Sequence, residues 1–196
     1  MPSSIKLNLG CGSDVRPGWV NVDHHPGPGV DLVWNLDELP WPWGDDMAEE
    51  VAMSHILEHL GATPHGFLGI VKELWRVCRH GATVLIVVPH PRHDHFLDDP
   101  THVRPITVGT LALFDQAANA EGRSRGLSNT PLGLMLGVDF RIEDVRHDLD
   151  EPWRGRHARG EMSTAAIEEA VRTHNNVILQ SAIRWRAVKR PGDVSP

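Results

Sequence analysis

Leu7-Asn8-Leu9-Gly10-Cys11-Gly12 is an apolar, strand-like run that ends in two closely spaced glycines. Without a Cβ, a glycine lets the chain turn sharply and lets a bound molecule press against the backbone. A loop built for a dinucleotide pyrophosphate needs a further glycine three residues after Gly12, and this sequence has Val15 there. That substitution counts against NAD or FAD as the ligand.

Working outward, a second strand-like run, Val20 to Val22, ends at Asp23. A carboxylate in that place can accept both hydrogen bonds of a ribose diol. The next segment, Asp31 to Pro40, sets Asn35 and Leu36 just past a third strand, Asp31 to Trp34. An amide side chain and a backbone N–H at that point can read the edge of an adenine. Each piece is common alone, and their order is not.

Two more strands follow, Glu50 to Met53 and Ala82 to Val88, the second rich in Val, Leu and Ile as a buried central strand requires. Between them Phe67, Ile70, Val71, Leu74, Trp75 and Cys78 recur at i, i+3 and i+4, which predicts a helix from Pro64 to Arg79 with Gly81 as its stop. Strands alternating with helices predict an α/β fold, a Rossmann-like doubly wound sheet with helices on both faces. Beyond a histidine-rich loop, the pattern predicts a helix from Thr107 to Ala118, a mobile Gly/Ser/Arg-rich stretch from Glu121 to Leu132, and a strand from Val138 to Val145. A helix from Ser163 to Arg172 follows. Finally, Ile183, Trp185 and Ala187 alternate with Arg184 and Arg186, as in an antiparallel strand from Val177 to Val188 with one solvated side.

Composition bounds the function. The 196 residues, 40% hydrophobic and 23% charged, suit one domain over residues 1–190 with a frayed tail at 191–196. A formal charge of −7 argues against nonspecific nucleic-acid binding, which needs a basic face. No apolar run approaches the roughly 18 residues of a membrane span, and MPSSIKLNLG lacks a signal-peptide core, so a cytoplasmic location is expected. Two cysteines, Cys11 and Cys78, are too few for a disulfide framework. Trp41 and Trp43 are expected in core or lid packing. Self-association is left open.

The motifs in this order resemble the class I S-adenosylmethionine-dependent methyltransferases, in particular a short branch reading L-N-L-G-C-G, G-W-x-N-V-D, D-L…L-P and S-H-x-L-E-H. Here these are Leu7 to Gly12, Gly18 to Asp23, Asp31 to Pro40, and Ser54-His55-Ile56-Leu57-Glu58-His59, so the likeness spans residues 5–90. It implies a seven-stranded sheet ending in an antiparallel hairpin, with S-adenosylmethionine as cofactor. By the resemblance, the turn Leu9-Gly10-Cys11-Gly12 approaches the methionine and ribose portions, Asp23 holds the ribose hydroxyls, Asn35 and Leu36 border the adenine, and Ser54 and His55 line the methionine end. Asn8 stands where the family often has an acidic residue. Only five residues separate Gly12 from Gly18, which abbreviates the first helix to a turn.

The implied activity is methyl transfer to O or N of a small molecule, sugar or natural-product intermediate. A hydroxyl acceptor gains from a general base, and histidine titrates in the useful range. The loop after the fifth strand carries histidines at 90, 93, 95 and 102 within a substrate-facing region at 89–135. His102 is the first candidate base, with His93 and His95 next. For His55, Glu58 and His59, at i, i+3 and i+4, helix capping or packing is the stronger alternative to catalysis. No metal ligand is assigned. Competing functions are a noncatalytic S-adenosylmethionine-binding module and a metal-dependent hydrolase built on His93, His95, Asp98 or Asp99, and His102.

Overall fold

The computed structural model describes residues 4–190, so the tail expected at 191–196 lies outside the described residues. Seven strands, β1 (Ile5–Leu9), β2 (Val20–Asp23), β3 (Leu32–Val33), β4 (Ala48–Ser54), β5 (Cys78–Pro89), β6 (Phe140–Leu149) and β7 (Ile178–Ala187), form one sheet in the order β3-β2-β1-β4-β5-β7-β6. β1 to β5 pair in parallel, and β7 enters antiparallel between β5 and β6. The fold is the expected α/β, Rossmann-like sheet, mostly parallel with an antiparallel C-terminal pair. That pair is joined through two helices rather than a tight turn.

Register explains the core. Leu7 faces Val20 and Val51, Leu9 faces Val22 and Met53, and the line continues through Val84 and Ile86 to Trp185 and Ile183. Most of these side chains are fully buried in one cluster with Phe67, Ile70, Val71, Leu74 and Trp75 of helix α1 (Pro64–Val77). Each such burial stabilises the fold by about 1.5–3 kcal/mol. Thr63 caps α1 by accepting from the Gly66 amide, and Pro64 occupies the first turn, where a missing N–H costs nothing. The helix stops at Val77, two residues earlier than its periodicity predicts. Cys78 is already extended and pairs with Ala48, and Gly81, at φ +78°, sits inside β5 at the ladder's irregularity instead of capping the helix.

Helices on both faces are not what the first half builds. Among the described residues, α1 is the only helix longer than a single 3-10 turn between β1 and β5. The links from β1 to β2 and from β2 to β3 are shorter than the dozen or so residues of a helical crossover and carry Pro17, Gly18, Pro26, Gly27, Pro28 and Gly29. The first of these loops folds over the second face through polar contacts. Buried Asn8 donates to the Asp14 carbonyl at 2.6 Å and to Asn21 Oδ1 at 3.0 Å, and the Arg16 amide donates to the same oxygen at 2.8 Å. Elsewhere that face carries the ion pairs Lys6–Glu50 and Arg186–Glu143.

Short helices complete the chain: α2 (Asp94–Leu97), α3 (Val108–Ala112), α4 (Gln116–Ser124), α5 (Leu132–Leu136), α6 (Trp153–Ala158) and α7 (Thr164–Thr173). The helix predicted over 107–118 is thus two helices. Asp115 breaks it by accepting from the amides of Ala117 and Ala118 as the cap of α4. The start of the stretch expected to be mobile, Glu121 to Ser124, belongs to α4. Trp41 is buried and its indole donates to the Leu36 carbonyl at 3.0 Å. No helix among the described residues is long and apolar enough to cross a membrane.

Candidate active site

The carboxyl ends of β1, β2, β4 and β5 open on one edge of the sheet, and the order reverses between β1 and β4, where ligands settle in open α/β sheets. Gly10 leaves β1 at φ +66°, and a Cβ there would lie 2.5 Å from Ile56 Cγ1. Packing alone therefore demands this glycine. Gly12, at φ +49°, has open space where its side chain would be, and its amide donates to Asp23 Oδ2 at 2.8 Å. Asp23 Oδ1 accepts from the His25 amide at 3.0 Å. Each carboxylate oxygen keeps a second lone pair for a diol.

These ends border a cavity of about 330 Å³ lined by Gly10, Asp23, Trp34, Asn35, Leu36 and Ile56, among others. Asp23 at the edge of a wall that includes Trp34, Leu36 and Ile56 suits a nucleoside, while the second carboxylate of the lining, Asp37, accepts from the Gly61 amide at 2.8 Å. Asn35 is shaped by an Asx turn, its Oδ1 accepting from the Asp37 amide at 3.0 Å. Leu9 and Cys11 are buried in the core, and burial raises the Cys11 thiol pKa. Neither they, Gly12 nor Ser54 line the cavity. Asn8 is held on the sheet's other face by Asp14 and Asn21, so its amide is spent on the loop.

A second cavity of about 390 Å³ adjoins the first, and His59 lines both. Its wall includes His55, Glu58, His95, Asp99 and His102. The backbone carbonyl of Glu58 accepts from the Val103 amide at 2.9 Å, which ties the loop after β5 to the turn after β4 and sets His102 beside Glu58. His102 Nδ1 lies 2.7 Å from the Phe96 carbonyl. A carbonyl only accepts, so Nδ1 carries the proton, and Nε2 turns toward Glu58 Oε1 at 4.0 Å and Asp99 Oδ2 at 3.9 Å. His59 Nδ1 meets Thr101 Oγ1 at 2.9 Å, while that hydroxyl donates to Asp99 Oδ1 at 2.6 Å. His59 therefore donates from Nδ1 and leaves Nε2 bare.

His55 takes the left-handed φ of +52°, unusual for a side chain of its size and costing about 1–3 kcal/mol. Its Nε2 meets Gln180 Oε1 at 3.0 Å, and Gln180 donates onward to Asp148 at 2.9 Å. The Glu58 carboxylate, 3.6 Å from Nδ1, raises the His55 pKa against the opposing effect of burial. Gln180 could not be anticipated, since it comes from β7 far along the chain. Glu58 and His59 stand at i+3 and i+4 from His55 in the sequence, which carries no sign that His102 joins them.

The loop histidines separate. His95 is exposed and lines the second cavity. His93 is buried: its Nδ1 accepts from the His95 amide at 3.0 Å, and its Nε2 contacts Asp150 Oδ2 at 3.0 Å. Both its nitrogens are used in capping α2 and anchoring the loop, so it offers none to a substrate or to a metal set with His95 and His102.

No protein-family profile matches the chain, and no curated protein matches its sequence. Solved structures do match in shape. A SAM-dependent methyltransferase from Archaeoglobus fulgidus superposes with a TM-score of 0.63 at 18% identity, over 94% of this chain and 86% of that one. A 1,6-didemethyltoxoflavin-N1-methyltransferase from Burkholderia thailandensis, solved with S-adenosylhomocysteine, gives 0.51 at 12% identity, over 95% of this chain and 72% of that one. The cyclase SpnF also gives 0.51 at 12% identity, over 96% and 76% of the two chains. At such identities the likeness is one of fold, and the cyclase shows that this fold serves other reactions. The chain has the fold of solved S-adenosylmethionine-dependent methyltransferases.

Proposed function

We propose that this chain binds S-adenosylmethionine in the cavity bordered by Gly10, Asp23, Asn35 and Leu36, and transfers a methyl group to O or N of a small molecule held in the adjoining cavity. The acceptor class we favour is a small molecule, sugar or natural-product intermediate. The observation that carries this is the pair of cavities meeting at His59, one suited to a nucleoside and the other walled by imidazoles and carboxylates. The cofactor, when bound, supplies an electrophilic methyl group. The chain's own work is to align the acceptor and exclude water. A hydroxyl or amine acceptor also sheds a proton, and of the four histidines lining that cavity we assign its uptake to the two from the loop after β5, His95 and His102. We further propose that residues 89–135 form the acceptor-facing part of a single domain.

Calorimetric titration with S-adenosylmethionine and S-adenosylhomocysteine tests the reading. Binding in the tens of micromolar or tighter, about −6 kcal/mol or more favourable, is expected, followed by turnover in an acceptor screen. Absence of binding to both compounds would remove the methyltransferase assignment. Binding without turnover across a broad screen would favour a noncatalytic module.

A further inference from the structure

We propose that Glu58, His59 and His102 form a binding site for one divalent transition-metal ion, of the zinc, cobalt or manganese kind, in the wall of the second cavity. One ligand atom from each of the three lies within 4.8 Å of the others.

The Glu58 carboxylate is the first reason. It is 1% exposed, and neither oxygen hydrogen-bonds to any group among the described residues. A carboxylate buried without a hydrogen bond is unfavourable, and the half-exposed His55 ring, 3.6 Å away, is a loose partner for it, so its position calls for a further cation or a proton. The two imidazoles are the second reason, and an independent one. Hydrogen bonding pins the proton of His102 on Nδ1 through the Phe96 carbonyl, and that of His59 on Nδ1 through Thr101 and Asp99. This is how metal-bound histidines are held: one ring nitrogen donates to an outer partner and the other presents a lone pair to the ion. His102 Nε2 and Glu58 Oε1 face each other at 4.0 Å as two acceptors, an arrangement that a shared cation relieves.

The donor set itself selects the ion. Two imidazoles and one carboxylate suit zinc, cobalt, iron or manganese better than calcium or magnesium, which prefer oxygen. Donors on a tetrahedral zinc lie about 3.3 Å apart, so the side chains close inward by small rotations on binding. Three protein ligands leave coordination open toward the cavity, as in catalytic rather than structural sites. There the oxygen or nitrogen of an acceptor completes the sphere. This last role rests on the methyltransferase reading, whereas the site itself does not. With His102 spent as a ligand, His95 is the remaining histidine of that loop in the cavity wall and takes up the acceptor's proton.

The experiment uses the full chain, stripped with a chelator and titrated with Co²⁺ while its visible absorption is recorded. One Co²⁺ per chain is expected, displaced by Zn²⁺. Glu58→Gln and His102→Ala should each weaken binding by about 100-fold or more, with His95→Ala binding as the parent does. In the unaltered chain, Zn²⁺ should shift the Nε2 resonances of His59 and His102 in nitrogen NMR, which needs no variant to fold. No Co²⁺ or Zn²⁺ binding, or binding retained in both ligand variants, overturns the site and assigns Glu58 to a proton or to His55. The same stripped protein is titrated with S-adenosylhomocysteine. Binding of that compound without metal removes the ion alone, and metal binding without it keeps the ion and removes the methyltransferase reading.

Discussion

The Gly12 amide donates to Asp23 Oδ2 over 2.8 Å, so the loop after β1 is fastened to the end of β2 by the same carboxylate that we propose holds the ribose. With the His25 amide on its other oxygen, Asp23 both shapes the loop and faces the cavity. Asp23→Ala is expected to weaken S-adenosylhomocysteine binding by at least about 1 kcal/mol, somewhat less than the roughly 1.5–3 kcal/mol of one hydrogen bond to a charged group. Asp23→Asn, which keeps one accepting oxygen, should fall between. Equal affinities for all three proteins in calorimetry would remove the ribose assignment.

Gly10 is constrained from the side as well as by its backbone. A methyl group there meets Ile56 Cγ1 at 2.5 Å and adopts φ +66°. Gly10→Ala should lower stability by about 1–3 kcal/mol, measured as a drop in the denaturant midpoint. Adding Ile56→Ala to the same chain should recover part of the loss beyond what the two single changes predict. Simple additivity would mean that the close approach is not the cause.

His93 and His102 should part company when each is replaced by alanine. His93 is buried, caps α2 and contacts Asp150, so its loss should lower the melting temperature and leave cofactor affinity intact. His102→Ala should reduce turnover far more than cofactor affinity. If His93→Ala abolishes turnover in folded protein, the division of roles is wrong.

The His93 contact also carries a pH signature. Hydrogen bonding to His93 lowers the Asp150 pKa below its ordinary 3.8, against a smaller effect of burial. A depressed carboxylate pKa stabilises the fold above the unfolded value and loses that contribution as pH falls through the folded value. The stability gap between the parent and Asp150→Asn should therefore be present at pH 7 and close below about pH 4. The side chain is 35% exposed, so the gap should stay within about 1 kcal/mol. A gap that persists at pH 2 would mean that it does not come from the charge.

Cys78 is fully buried and its thiol pKa is pushed up to about 12 by burial, while that of Cys11 is raised by burial first and Asp23 second. Thiolate is the reactive form, so neither should react readily with a disulfide reagent at pH 8 in the folded protein. Both should react once it is denatured. Rapid labelling of one thiol in the folded state would show that its cover is absent.

Much of this protein is written locally. Alternation in Leu7 to Leu9 and in Ile183 to Ala187, the apolar stripe of α1, and the glycines after β1 each follow from neighbours a few residues apart, and the sequence by itself determined the strands and the parallel order that they imply. It also showed that the first helix had no room, because Pro17 and Gly18 lie within a span too short for one. The end of α1 is not legible locally, because pairing of Cys78 with Ala48, thirty residues away, outcompetes the last two helical positions that the periodicity predicts.

Only the tertiary structure decided how the histidines divide. Periodicity cannot say that His93 turns inward to Asp150 while His102 turns to Glu58, nor that Gln180 reaches His55 from β7. A histidine's chemistry depends on which nitrogen already holds a partner. That partner is a carbonyl, hydroxyl or carboxylate brought near by sheet register and loop closure, and spacing along the chain records neither.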